Sequence, residues 1–498
     1  MSVSHSHLPP RILPIAFLVS LGGSFHFGYQ LVITNPTQAV FLDFVNQTHY
    51  THYGKRLDKG TLDIVWSGIV AVVFLGALFG SFALRIVAER LGRKSGLLTG
   101  ISLALLSVGL SIFSHTLSSY EIYTFSRFLL GVAISVNMGL GAMYLVEICP
   151  KESRGKVGMM TGSLVQAGTV AGSIVALPQV LGTSSLWPMI YVVELLCLAL
   201  PFFALIYLPE SPSFLVKKGE MKKARKALAY FHSLSEDEVT EQIDELRNEL
   251  EESSQRKVGM IAVLKKKGLR RRVFVGMIVA FVMAFSGIAV INGYAVEILM
   301  NTGLNRLNAS LANLGFNALS MFAIFGGAMV VDKFGRRPLL LFTSTGILVT
   351  NLIIVALMFA YAGTENHIYG LLLVIMIGVF TIFFAAGPGP LCYFISAELV
   401  DTHARSGAQA WTSVVQMASR TFLLSIYLPL KNLMGNSSTY LLLFVFPVLL
   451  SIIILYFRLP ETKKKSPSEV TEAEQKLPKL WCSGGNLDEK TRVETPEV

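Results

Sequence analysis

The sequence predicts an all-α membrane protein: twelve transmembrane helices in two pseudo-symmetric six-helix bundles. Three observations carry that expectation. Hydrophobic residues make up 52% of the 498 and charged residues 15%, against about 25% charged in an average soluble chain. Apolar runs long enough to cross a hydrocarbon layer of about 30 Å recur from one end to the other. A six-residue phrase, Glu89-Arg90-Leu91-Gly92-Arg93-Lys94, returns close to half the chain length later as Asp332-Lys333-Phe334-Gly335-Arg336-Arg337. A repeat at half-length means two similar halves.

The spans are read at 12–34, 63–85, 97–116, 122–146, 157–181, 187–208, 273–299, 310–331, 338–361, 367–396, 405–430 and 439–458. They divide the chain into an N-terminal bundle (1–208), a cytoplasmic linker (209–271), a C-terminal bundle (272–458) and a tail (459–498). The first span ends Phe25-His26-Phe27-Gly28-Tyr29-Gln30. Polar side chains on a membrane helix face an aqueous cavity, because lipid cannot satisfy them. His26 is read as hydrogen-bonded to a neighbouring helix, with a proton-carrying role as the alternative. Residues 35–62 form the longest external loop, and Asn46-Gln47-Thr48 within it is the expected glycosylation site. The sequons at Asn308 and Asn436 fall closer to the bilayer.

Each copy of the repeated phrase is a tight polar turn between two apolar runs. A second charged cluster follows in each half: Glu147 with Lys151, Glu152, Arg154 and Gly155, then Glu398 with Asp401, Arg405 and Gly407. Pro209-Glu210-Ser211-Pro212 ends the sixth span, and Leu459-Pro460-Glu461-Thr462 ends the twelfth. In the linker, Ser235-Glu236-Asp237-Glu238 has capping-box form, and Val239, Ile243, Leu246 and Leu250 share one helical face. Amphipathic helices lying under the bundle are therefore expected. The tail after Lys465 is rich in Ser, Pro, Glu and Lys and reads as disordered.

The net charge of +10 raises the question of nucleic acid. Its placement answers no. Lys and Arg gather at 90–94, 151–156, 217–226, 264–272, 333–337 and 463–465, all on one side in a twelve-span count. That bias orients basic loops, and with them both termini, toward the cytoplasm. Cys149, Cys197, Cys392 and Cys482 have no paired spacing, so neither a disulfide framework nor a zinc site is indicated. No metal-ligand cluster, phosphate loop or nucleophile elbow is present, so neither an enzyme nor a bound cofactor is expected.

What stands out is irregular backbone inside apolar spans. Gly387-Pro388-Gly389-Pro390 interrupts the tenth and Ser286-Gly287 the seventh. Broken membrane helices persist only where protein or water covers the freed backbone groups. Such breaks supply both a hinge and a polar lining.

Taken in order, these motifs resemble the facilitative hexose transporters, the sugar porter family of the major facilitator superfamily. The likeness is nearest to the branch of fructose-type and related atypical carriers, and it runs over about 12–463. It rests on Phe27-Gly28-Tyr29, the phrases at 89–94 and 332–337, Tyr144-Leu145-Val146-Glu147, Arg154-Gly155, Pro209-Glu210-Ser211-Pro212, Ser286-Gly287-Ile288, Gly387 to Pro390, Ala397-Glu398 and Pro460-Glu461-Thr462. The resemblance implies a monomeric carrier in the plasma membrane with a central sugar site between two bundles. It implies a cytoplasmic latch of Glu89, Arg93, Glu147, Arg154, Asp332, Arg336, Glu398 and Arg405, closed when the site faces outward.

The departures fall where the family contacts sugar. Met283, Ala284 and Ala289 stand where the family has polar amides, and Ala385 stands where it has a glutamate. Tyr393 occupies the place of a tryptophan. Gln166, Asn317 and Gln416 remain as substrate candidates, with Asn292, Tyr294, Gln30 and His26 beside them. Arg420 lies deep in the eleventh span, where a cation must face the cavity or a carboxylate, and Glu194 and Glu297 are the candidate partners. Proton-coupled relatives carry an Asp at the place of Gln30, so uniport is expected. Hexose uniport is the first reading. An organic anion or purine-like solute held by Arg420 is the second, and a non-transporting sensor the third.

Overall fold

The computed structural model describes residues 11–150, 154–232, 236–255, 260–400, 404–463 and 469. Ser235 and Asp401 lie outside the described residues, as do the side chains of Arg154, Leu250, Asp332 and Tyr393. The first half contains α1 (Ile12–Val32), α2 (Lys59–Arg90), α3 (Arg93–Thr116), α4 (Tyr120–Ile148), α5 (Arg154–Val175) and α6 (Trp187–Tyr207). The second contains α7 (Lys267–Phe285, resuming as Ile288–Met300), α8 (Arg306–Phe334), α9 (Arg336–Thr364), α10 (His367–Ala386, resuming as Pro388–Glu398), α11 (Arg405–Met434) and α12 (Asn436–Arg458).

Ten of the twelve are long and apolar enough to cross a membrane on composition alone. The other two, α5 and α11, dilute their apolar runs with Ser, Thr, Gln and, in α11, Arg. Those polar groups are tolerable because both helices pack across the junction of the halves, α5 against α8 and α11 against α2, away from lipid. Several helices overrun the apolar windows. The 32 residues of α2 span about 48 Å at 1.5 Å per residue, so its charged ends stand clear of the hydrocarbon.

The repeat in sequence is a repeat in structure. Gly92 and Gly335 make the same left-handed turn (φ 96° and 92°) ahead of α3 and α9. A carboxylate from the far end of each half then caps the helix that follows. Glu210 accepts from the backbone N–H groups of Arg93 and Lys94 at 2.9 and 2.8 Å, and Glu461 from those of Arg336 and Arg337 at 2.9 and 3.1 Å. An anion at a helix N-terminus satisfies orphan donors and opposes the positive end of the dipole. Asp58 does the same for α2, accepting from Thr61 Oγ1 at 2.6 Å and Thr61 N at 3.1 Å. Those bonds hold its carboxyl below the usual carboxylate range.

Both expected breaks are present. Helix α7 stops at Ser286-Gly287, with Gly287 at φ 112°, and Ser286 Oγ accepts from Ile288 N. Asn351 on α9 donates to the freed carbonyl of Ser286 at 2.8 Å, so the break is covered by protein. Helix α10 stops at Gly387 and resumes at Pro388. Two further irregularities carry no proline: wide π turns at Leu21–Phe25 in α1 and Leu441–Val445 in α12.

Two short helices and two longer stretches form the linker: Pro212–Lys217, Met221–His232, Glu236–Gln255 and Met260–Lys265. Val239 and Ile243 are buried, as the amphipathic pattern requires, and His232 Nε2 lies 3.0 Å from the Ile148 carbonyl at the end of α4. The linker marks one end of the bundle. At the opposite end, the stretch after α1 is not an open loop but a helix, Gln38–Tyr53. Asn46 lies within it, its Oδ1 accepting from Leu57 N at 2.9 Å.

Candidate functional site

Where α1, α2 and α4 of the first half meet α7 and α11 of the second, they enclose a central cavity. Its polar lining is Gln30, Thr34, Arg127, Asn292 and Arg420; the rings of Phe27 and Phe74 form part of the apolar wall. The free volume is about 20 Å³, room for roughly one water. In this state the centre is nearly closed.

Glycine sets how closely α1 can approach its neighbour. A Cβ on Gly28 would lie 1.9 Å from the Val165 carbonyl oxygen of α5, and one on Gly168 would lie 2.1 Å from that of Phe25. Gln30, two residues beyond Gly28 on α1, lies on a different face of the helix from that contact. Gln30 then relays between two buried charges. Its Nε2 donates to both oxygens of Glu194 on α6 at 2.6 and 2.5 Å, and its Oε1 accepts from Arg127 Nη1 on α4. His26 Nε2 is 2.6 Å from Glu194 Oε1, though its approach lies off the hydrogen-bonding directions. All four side chains are buried. Only Gln30 and Arg127 reach the cavity.

Arg420 is 4% exposed, and its guanidinium carbon lies 5.5 Å from the Phe74 ring centre and 6.0 Å from that of Phe27. The quadrupoles of two rings offset part of the cost of burying a cation at this depth. Neither expected carboxylate serves it. Glu194 is taken by Gln30 and His26, and Glu297 by Lys431 and Gln38.

Of the other sequence candidates, Asn292 lines the cavity, while Gln166, Asn317, Gln416 and Tyr294 are not among its lining residues. Gln166 donates to the Asn317 carbonyl at 3.3 Å, and Asn317 donates to Ser173 Oγ at 2.9 Å, so these two tie α5 to α8. Gln416 donates to the Met283 sulfur at 3.0 Å. Tyr294 is buried, donates to the Leu424 carbonyl and stacks on Tyr427. Ala289 presents a methyl to the cavity where an amide would offer hydrogen bonds.

Sequence reasoning missed Arg127, Thr34 and the rings of Phe27 and Phe74. It also missed the polar contacts that join the halves at the end opposite the linker. Asn35 donates to the Ile291 carbonyl and accepts from Val296 N; Gln38 donates to Glu297 at 2.6 Å; Asn432 donates to Asp63 at 2.8 Å. Arg306 donates to the carbonyls of Pro36 and Gly182.

The charged clusters at the linker end pair differently. Arg93 binds Glu147 through Nε and Nη2, at 3.0 and 2.8 Å, within the first half. Arg336 binds Glu398 at 3.4 Å within the second. Glu89 pairs with Arg85 on its own helix, and Arg405 opens α11 on an exposed face.

Residues 15–473 match the family described as "Sugar (and other) transporter". A facilitated glucose transporter homolog of Caenorhabditis elegans is 30% identical over 470 residues, covering 92% of this chain and 89% of its own length. The human solute carrier family 2, facilitated glucose transporter member 9, is 26% identical over 475 residues, covering 94% and 86%. Among solved structures, the inward open conformation of the xylose transporter XylE from E. coli superposes with a TM-score of 0.77 at 20% identity, covering 93% of this chain and 99% of that one. Its partially occluded inward open form gives 0.76, covering 91% and 99%. The chain is a multi-pass membrane protein of the sugar porter family, with the major facilitator fold.

Proposed function

We propose that this protein is a facilitative uniporter of a hexose such as glucose or fructose, working by alternating access as a monomer in the plasma membrane. The observation that carries the reading is the central cavity, built jointly by two six-helix halves that are clasped at one end. Membership of a sugar transporter family supports a sugar as solute. The basic clusters at the linker end favour that end, with both termini, as cytoplasmic. The other end is then external, and Asn46 on the Gln38–Tyr53 helix is the proposed glycan site. Uniport rests on Gln30, an amide that carries no proton, at the cavity wall.

In this reading the breaks at Ser286-Gly287 and Gly387 to Pro390 are hinges that let the halves of α7 and α10 move separately. When the site faces outward, Glu89, Arg93, Glu147, Arg154, Asp332, Arg336, Glu398 and Arg405 re-pair between the halves as a network of individually weak bonds. The test is counterflow of labelled glucose and fructose into liposomes carrying the purified protein, with a pH-sensitive dye inside. Saturable exchange without proton movement is expected. Solute-driven pH change in step with uptake would refute uniport, and absence of exchange would refute the hexose reading.

A further inference from the structure

We propose that the hexose this site selects carries a carboxylate, a sugar acid of the hexuronate class, held between Arg127 and Arg420. The inference rests on the hexose reading above and narrows its substrate class. Two guanidinium groups line one small cavity, Arg127 from α4 of the first half and Arg420 from α11 of the second. No carboxylate is among the described residues that line it.

Arg127 is 2% exposed, and its Nε has no hydrogen-bond partner. That is a buried, charged side chain at the cavity wall with one donor to spare. Arg420 is positioned by the faces of Phe27 and Phe74. Arg127 is balanced through Gln30 by Glu194, and its Nε is the donor left over for a solute. A carboxylate can take charge-assisted bonds from both guanidinium groups, which a neutral polyol cannot. An acid held by one residue of each half would therefore bridge the halves around the solute. Gln30, Thr34 and Asn292 are left for the hydroxyl groups, and the ring of the sugar meets the apolar wall.

A uniporter of a monoanion moves one charge per cycle. Its equilibrium accumulation then changes about tenfold for each ~59 mV of membrane potential, while that of a neutral hexose does not change at all. The experiment uses the full chain in liposomes, with valinomycin and potassium gradients setting the potential. Labelled glucuronate, galacturonate, glucose and urate are compared. Expected are glucuronate or galacturonate exchange at least tenfold above glucose, potential-dependent accumulation of the acid, and its loss by tenfold or more in Arg420→Gln.

Because misfolding of that variant would also abolish transport, thermal melting of the wild type with each solute is the second measurement. Stabilisation by glucuronate beyond glucose is expected. If glucose exchanges while the uronates neither move, compete nor stabilise, the inference is overturned and the hexose reading stands. If urate moves and no sugar does, both fall.

Discussion

Gln38, at the start of the helix that follows α1, donates to Glu297 on α7 at 2.6 Å, and that bond crosses from one half of the protein to the other. Lys431 on α11 holds the second oxygen of the same carboxylate. Glu297 is thus the knot of a clasp at the proposed external end, with Asn35, Asp63, Asn432 and Arg306 around it. Glu297→Ala removes the knot. The pair is partly exposed, so the effect is expected near 1 kcal/mol, roughly a fivefold shift toward the outward-open state. A cysteine introduced at Thr34, labelled by a membrane-impermeant reagent, reads it. Unchanged labelling would mean that the clasp is decorative.

The ion pairs at the linker end are not equivalent. Glu147 is held by Arg93 through two contacts and by the Ser211 hydroxyl, all partly buried, whereas among the described residues Glu89 pairs with Arg85 on an exposed face. Glu147→Gln leaves a partly buried guanidinium without its counter-charge and is expected to cost about 1–2 kcal/mol. Glu89→Gln should stay within about 0.5 kcal/mol. Melting temperatures of the two variants in detergent separate them, and equal shifts would contradict the assignment.

Gly28→Ala places a methyl 1.9 Å from the Val165 carbonyl oxygen, which is backbone and cannot turn aside. Helices α1 and α5 must separate, at an expected cost of 3 kcal/mol or more. Gly158→Ala, in the same α5 but with nothing within 4 Å of the added carbon, should instead be neutral or stabilising by about 0.5–1 kcal/mol. Comparable destabilisation by both would show that α1 and α5 do not pack as closely as described.

What could be read beforehand was what local chemistry decides. The breaks at Gly287 and Gly387 announce themselves through glycine and proline, and the two turn glycines through the repeated phrase that contains them. The π turns at Leu21–Phe25 and Leu441–Val445 do not, since no residue type demands one. Pairing was harder. The phrase at 89–94 suggests that its own acid and cations belong together, yet Arg93 finds Glu147 on α4 and Glu89 turns to Arg85. Arg420 was visible as a cation in an apolar run. Arg127 meets the same criterion, but its partner, Gln30, lies on a different helix, and only the tertiary fold brings the two to one cavity. Gln166 and Asn317 were recognisable as polar groups inside spans. That they bind across α5 and α8 depends on how the halves meet.

The relay Arg127–Gln30–Glu194 makes a last prediction, because two buried charges are joined only through an amide that accepts from one and donates to the other. Truncating one member of a buried charged network strands the remainder, at a typical cost of about 3–5 kcal/mol. Arg127→Gln leaves Glu194 without the cation that balances it through Gln30. Glu194→Gln leaves Arg127 as an uncompensated charge on the same amide. Once either is gone, removing the other relieves a stranded charge instead of creating one. The double variant is therefore expected to be less destabilised than the sum of the singles by at least about 1 kcal/mol, well beyond the scatter of independent sites. Strict additivity in their melting would mean that Gln30 transmits nothing between them, and the two charges would have to be explained separately.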